Sequence, residues 1–103
     1  MNTETQINQR LAELNPSYLR IENESYKHNV PKNSETHFNV VIVSEAFNNL
    51  SLIKRHQTIY GLLSELMKNP IHALALHTFT SKEWESQKID NLSSPECLGG
   101  GKK

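Results

Sequence analysis

The chain has 103 residues, 36% of them hydrophobic, and its eleven basic and eleven acidic side chains cancel to a formal charge of zero. That length supports one small domain with a single core. No apolar run approaches the ~18 residues a membrane span needs, and the balanced charge withholds the basic footprint typical of phosphate-backbone binding. One cysteine, Cys97, excludes an intramolecular disulfide framework and a cysteine-rich metal site. The opening MNTETQINQR has neither a basic leader nor a hydrophobic stretch, so a cytoplasmic protein is expected.

Thr3 and Gln6 stand in capping-box spacing, and Ile7, Leu11 and Leu14 follow at helical intervals until Asn15-Pro16 interrupts them, which predicts a short amphipathic helix. From Ser17 the pattern changes to period two, with Leu19 and Ile21 alternating with Arg20 and Glu22, as in a half-exposed strand. A polar loop over 25–36 comes next. It is long for a hairpin and holds His28, two lysines and Pro31, so it is either a plain connection or a binding loop.

HFNVVIVS is a strand rich in β-branched residues, and 45–50 turn the chain into a long amphipathic helix. Leu52, His56, Ile59, Tyr60, Leu63, Leu66 and Met67 recur three or four apart on one face of that helix, and Pro70 ends it. IHALALHTF is too short for another core helix and is expected to be a strand buried on much of both faces. Thr80 and Glu83 form a second capping-box pair, with Trp84 placed to bury its indole as a last helix folds back. After Glu85 the helical signal fades. Residues 1–85 therefore read as the domain, and 86–103, with SSPEC, three glycines and three lysines, as a flexible tail.

The fold class is α+β in the order α-β-β-α-β-α, a small three-stranded mixed sheet with helices packed on it. The first two strands, joined by a loop alone, should be antiparallel, and the helical crossover should make the second and third parallel. This topology sorts the five histidines. His37 at the start of the second strand, His72 at the start of the third and His28 on the loop share one edge. His77, five residues after His72, faces the other side of the sheet, and His56 lies on the packed stripe of the long helix, where a hydrogen bond inside the layer is expected. His72 is then either a hydrogen-bonded edge residue or a ligand for a borderline metal such as iron or zinc, with His28 able to join it. His37 is the weaker candidate, its other reading being loop support through Ser34 or Glu35. Two histidines make half a tetrahedral site, so the remaining ligands would come from another molecule. No phosphate loop, nucleophile motif or cysteine beside a base is present, so an enzyme is not expected.

Several stretches also carry a family likeness. ESYKHNVPKNSETHFNVVIVSEAF, KRHQTIYGLLSEL and IHALALHTFTSKEW together resemble the BolA family from about Tyr18 to Trp84, through Ser34-Glu35-Thr36-His37-Phe38, Val43-Ser44 with Phe47, Arg55-His56 and Ile71-His72-Ala73-Leu74. The tail SSPECLGG resembles the tails of some members. The resemblance implies a fold similar to type II KH domains and a partner, a monothiol glutaredoxin, bound directly or through a bridging 2Fe-2S cluster. Glutaredoxin and glutathione would supply two thiolates. His72 is similar to the principal ligand from this side and His28 to the second, with no cluster expected in the isolated protein.

The competing class implied by the resemblance is a DNA-binding transcriptional regulator of stress and morphology genes, acting through a helix-turn-helix-like surface around Arg55-His56. Lys54 and Arg55 are its candidate phosphate contacts, unless Arg55 is paired to an acidic neighbour. Here the chain departs from many relatives, with Gln57 in place of a basic residue and Asn48-Asn49 in place of a glycine-containing turn. A GxxG loop is also absent, since Gly61 is the only glycine before the tail, which argues against the KH mode of RNA binding. Cys97 is a candidate for thiol modification or an inert tail thiol, and self-association as a homodimer stays open.

Overall fold

The computed structural model describes residues 2–27, 31 and 34–93. In chain order these form α1 (Thr3–Leu11), β1 (Tyr18–Asn23), β2 (His37–Val43), α2 (Leu52–Leu62), α3 (Ser64–Lys68), β3 (Ala73–Phe79) and α4 (Ser81–Ser93), with single turns of 3-10 helix at Ala12–Leu14, Ser25–Lys27 and Glu45–Phe47. The sheet order is β1-β2-β3. β1 pairs antiparallel with β2, Leu19 opposite Ile42 and Ile21 opposite Val40. β2 pairs parallel with β3, His37 opposite Ala73 and Val43 opposite Phe79. The α+β class and the order read from the sequence are those observed.

The two faces of the sheet are unequal. Leu19, Ile21, Phe38, Val40, Ile42, Leu74 and Leu76 pack with Ile7 and Leu11 of α1, Ile59 of α2, Leu63, Leu66 of α3, Phe47 and Ile71 to form the core. Alternation sends the other residues of each strand outward. On β3 this leaves Ala73, Ala75 and His77 exposed, whereas Leu74 and Leu76 are half-buried and Thr78 is buried. The expectation of a strand buried on much of both faces is thus corrected: helices cover one face fully and the other only at one end. At that end Trp84 of α4 stacks on Tyr18 at 5.1 Å and leans on Phe79 at 5.2 Å. No helix among the described residues is long and apolar enough to cross a membrane.

Three element boundaries differ from expectation for local reasons. The cap of α1 is Asn2, whose side-chain oxygen accepts from the Thr5 amide; this leaves the Thr3 hydroxyl to donate to Glu35 across the fold, 2.6 Å away. The long helix is two helices, because Leu63 leaves helical geometry (φ −102°, ψ 15°) just after Gly61, the weakest helix former in the run. Leu63 stays fully buried through the break, and the Met67 amide still donates to its carbonyl, so α3 continues the same core face. Finally, α4 runs to Ser93, so helix covers 86–93 of the segment assigned to the tail. Residues 94–103, Cys97 among them, lie outside the described residues.

Two local solutions make the turn into α2. Ser44 begins it by accepting from the Ala46 amide, and Asn49 adopts φ 68°, a left-handed conformation that asparagine tolerates better than most side chains. Asn48-Asn49 therefore supplies what a glycine turn would. Ser51 then caps α2 by accepting from the Lys54 amide.

Arg55 joins the end of the sheet to α4. The residue is 7% exposed, over the Phe47 ring, and donates from Nε to the Leu50 carbonyl at 3.0 Å and from Nη1 to the Thr78 carbonyl at 3.3 Å. Nη1 and Nη2 also grip the Glu83 carboxylate at 2.6 and 2.9 Å. Glu83 in turn accepts from the Thr80 amide while Thr80 Oγ1 accepts from the Glu83 amide, the capping box anticipated from Thr80 and Glu83. The Arg55 hydrogen bonds hold the Glu83 pKa down to about 2, with the Thr80 amide adding to the effect.

Since that folded pKa lies below the ordinary carboxylate value, the stabilisation is complete above about pH 5 and is lost as pH falls toward 2. Glu83→Gln should cost about 1–2 kcal/mol in urea unfolding at pH 7, the carboxylate being half-exposed and partly screened. The stabilities of the wild type and the Glu83→Gln variant should converge as pH is lowered through this range.

Candidate functional site

The parallel register of β2 and β3 brings the starts of both strands to the same end of the sheet. There the Thr36 carbonyl accepts from the His72 amide at 2.8 Å and the Ala73 amide at 3.1 Å, which pins the backbone of His72 beside that of His37. His72 lies one residue before β3 rather than in it, and its imidazole is exposed. Among the described residues it has no side-chain hydrogen-bond partner. This is an imidazole on a fixed backbone with its ring nitrogens available to an outside partner.

His37 is positioned differently. It is half-buried, and its Nδ1 lies 2.7 Å from Thr36 Oγ1. Ser25, itself buried, organises the same corner by accepting with one hydroxyl oxygen from the amides of Thr36 at 2.9 Å and His37 at 3.1 Å. The Glu24 amide donates to the His37 carbonyl at 2.7 Å, and the Asn23 side-chain amide to the Ser34 carbonyl at 2.9 Å. His37 meets the loop through Thr36 and the Ser25 bracket, and Glu35 accepts from the Thr3 hydroxyl. Ser25 and Thr36 gave no signal beyond being hydroxyl residues at the ends of a polar loop.

His28 lies outside the described residues, so only His72 and His37 of the three edge histidines are placed. Among the described residues no group of three or more His, Cys, Asp or Glu lies together in a way that could hold a metal ion. His77 is exposed on the open face of the sheet, as strand alternation requires. His56 is half-buried but makes no hydrogen bond through its side chain among the described residues, in contrast to the bonded interior imidazole expected.

The second candidate surface separates Lys54 from Arg55. Lys54 is exposed at the start of α2. Arg55 is withdrawn as a DNA contact, because four of its hydrogen bonds go to Leu50, Thr78 and Glu83 and its charge is compensated by that carboxylate. The helical period alone could not distinguish an outward Arg55 from an inward one, since the long arginine stem packs on apolar surface as readily as a hydrophobic side chain.

A three-stranded mixed sheet, helix-covered on one face, with an exposed histidine where the crossover returns to the sheet, defines a small α+β module of a known type. The family model for BolA-like proteins matches residues 11–83, and the chain belongs to the BolA family. It is 47% identical over 90 residues to the DNA-binding transcriptional regulator BolA of Escherichia coli K12, covering 87% of this chain and 86% of that protein. It is 44% identical over 102 residues to the human BolA-like protein 1, covering 97% of this chain and 73% of that one. Among solved structures, BolA1 from Arabidopsis thaliana superposes with a TM-score of 0.75 at 39% identity, covering 81% of this chain and 96% of that one.

The Ser25 bracket is open to direct test. Ser25→Ala removes the acceptor for two backbone amides and should destabilise the protein by about 1–3 kcal/mol. Hydrogen exchange should quicken at the Thr36 and His37 amides well before it does at Val40.

Proposed function

We propose that this protein is a non-enzymatic adaptor that binds a monothiol glutaredoxin and contributes His72, with His28, to a bridging 2Fe-2S cluster, acting in iron-sulfur cluster handling and iron regulation. The observation that carries this reading is the exposed His72 imidazole on a backbone held by the Thr36 carbonyl. A ligand presented this way costs little to order when a partner arrives, since the main chain is already fixed. Thr36 positions His72 through its carbonyl, and Ser25 holds Thr36 through its amide, so two residues without donors for iron set the place of the one that has them. The cluster would supply one-electron chemistry, with imidazole in place of thiolate raising its potential and making ligation sensitive to protonation.

Titrating the protein into cluster-loaded monothiol glutaredoxin should change the visible circular dichroism of the cluster. His72→Ala should abolish that change while shifting stability by less than about 0.5 kcal/mol, as expected for an exposed side chain. His28→Ala should weaken cluster retention. A His72→Ala protein that responds as wild type would remove the ligand assignment.

The names of the bacterial relatives, DNA-binding transcriptional regulator BolA, favour a second reading in which this chain also binds DNA. Exposed Lys54 is its remaining candidate from the α2 start. Under that reading affinity for duplex DNA falls steeply with salt, and Lys54→Ala lowers the salt slope by about one. Binding that ignores salt, or a slope unchanged by Lys54→Ala, counts against it.

A further inference from the structure

The outer margin of β1 carries chemistry that neither reading uses. The strand order β1-β2-β3 gives β1 a neighbour on one side only. The Glu24 amide donates to the His37 carbonyl at 2.7 Å, continuing the register in which Glu22 faces Asn39 and Asn23 faces Phe38. Residues that exchange hydrogen bonds across an antiparallel pair alternate with those that do not, so Arg20 and Glu22 turn their backbone groups toward β2 while Leu19, Ile21 and Asn23 turn theirs away. Among the described residues the amides and carbonyls of Leu19 and Ile21 have no hydrogen-bond partner. The segment before β1 is tied to the two ends of β2, with Thr3 donating to Glu35 at one end and the Ser44 hydroxyl donating to the Leu14 carbonyl at the other. Those ties draw it inward from the β1 margin.

An unpaired edge invites another strand, and sheets commonly blunt it with lysine, proline or a bulge. Tyr18–Asn23 holds neither lysine nor proline. Its charged side chains are Arg20 and Glu22, 57% and 45% exposed and 2.6 Å apart along one face of the strand. Opposite charges at this spacing make the strand complementary to itself. When two copies of β1 run antiparallel about a two-fold axis through Ile21, Arg20 of each lies directly across from Glu22 of the other, at a non-hydrogen-bonded position where side chains approach most closely. Ile21 then meets its own copy and Leu19 meets Asn23, the residues whose backbone groups face outward. A slip of one step sets Arg20 against Arg20 or Glu22 against Glu22, which is destabilising. The charges thus select one register, and on the core side that register covers the half-buried Leu19 and Ile21.

We infer that β1 is an interface for a second copy of this chain, joining two three-stranded sheets into one through antiparallel β1-β1 pairing centred on Ile21. Each arginine then stands between two carboxylates, one on its own strand and one across from it. His72 lies beside β3 at the opposite margin, so the pairing leaves both imidazoles exposed and stands independently of any ligation by them. A single strand pair is a small contact, and it belongs among the weak, concentration-dependent ones.

Sedimentation equilibrium of the full chain at low salt, over roughly 10 μM to 1 mM, tests this. The wild-type mass should rise from monomer toward dimer, and exchange at the Leu19 and Ile21 amides should slow with concentration. Arg20→Glu and Glu22→Arg, both at exposed positions, should each weaken association about tenfold, because like charges then face each other across the axis. An equimolar mixture of the two variants should recover association, since the acidic strand of one meets the basic strand of the other. His72→Ala should associate as wild type. The proposal is overturned if the wild type stays monomeric throughout, if either charge variant associates as wild type, if the mixture fails to associate, or if the concentration-dependent protection falls on other amides.

Discussion

Burying a guanidinium obliges the surrounding chain to supply acceptors for a fixed fan of N–H groups, and no other side chain here imposes so many conditions at once. Arg55 meets them with the Leu50 carbonyl, the Thr78 carbonyl and the Glu83 carboxylate. Those three come from the turn before α2, from β3 and from α4. The rotation of α2 about its axis, the seat of its first turn on the sheet and the return of α4 all follow from one residue's need for partners. Trp84, one residue after Glu83, then packs on Tyr18 and Phe79 because the ion pair has already brought the helix to that end.

Much of this architecture was legible in the residues. Hairpin connection and helical crossover decide strand direction by geometry alone, so antiparallel β1-β2 and parallel β2-β3 could be read without coordinates. The Thr80-Glu83 cap was legible for the same reason, being local. What escaped was decided by distant contacts: Thr3 left its capping role for Glu35, and Glu83, visible only as a cap, also became the partner of Arg55. β3 looked doubly buried because Ala73 and Ala75 count as apolar in a pattern, although they contribute little area and no layer covers them.

The candidate site divides in the same way. That His37 and His72 lie at one end follows from strand order, whereas the means of holding them there, a serine hydroxyl accepting two amides and a carbonyl accepting two more, carries no periodic or spacing signal. Hydroxyl residues in polar loops are too common to mark such a role. The chain thus announces its imidazoles and conceals the groups that aim them.

The bond from the His72 amide to the Thr36 carbonyl has a consequence for how the protein matures. Its two residues are separated by the whole of β2, the turn and both crossover helices, so the bond closes only after that long stretch has collapsed onto the sheet. A chain that has formed the β1-β2 hairpin but not yet docked β3 would carry His72 on an unplaced segment. The position of that imidazole is therefore acquired late, and a correctly presented His72 reports a finished fold.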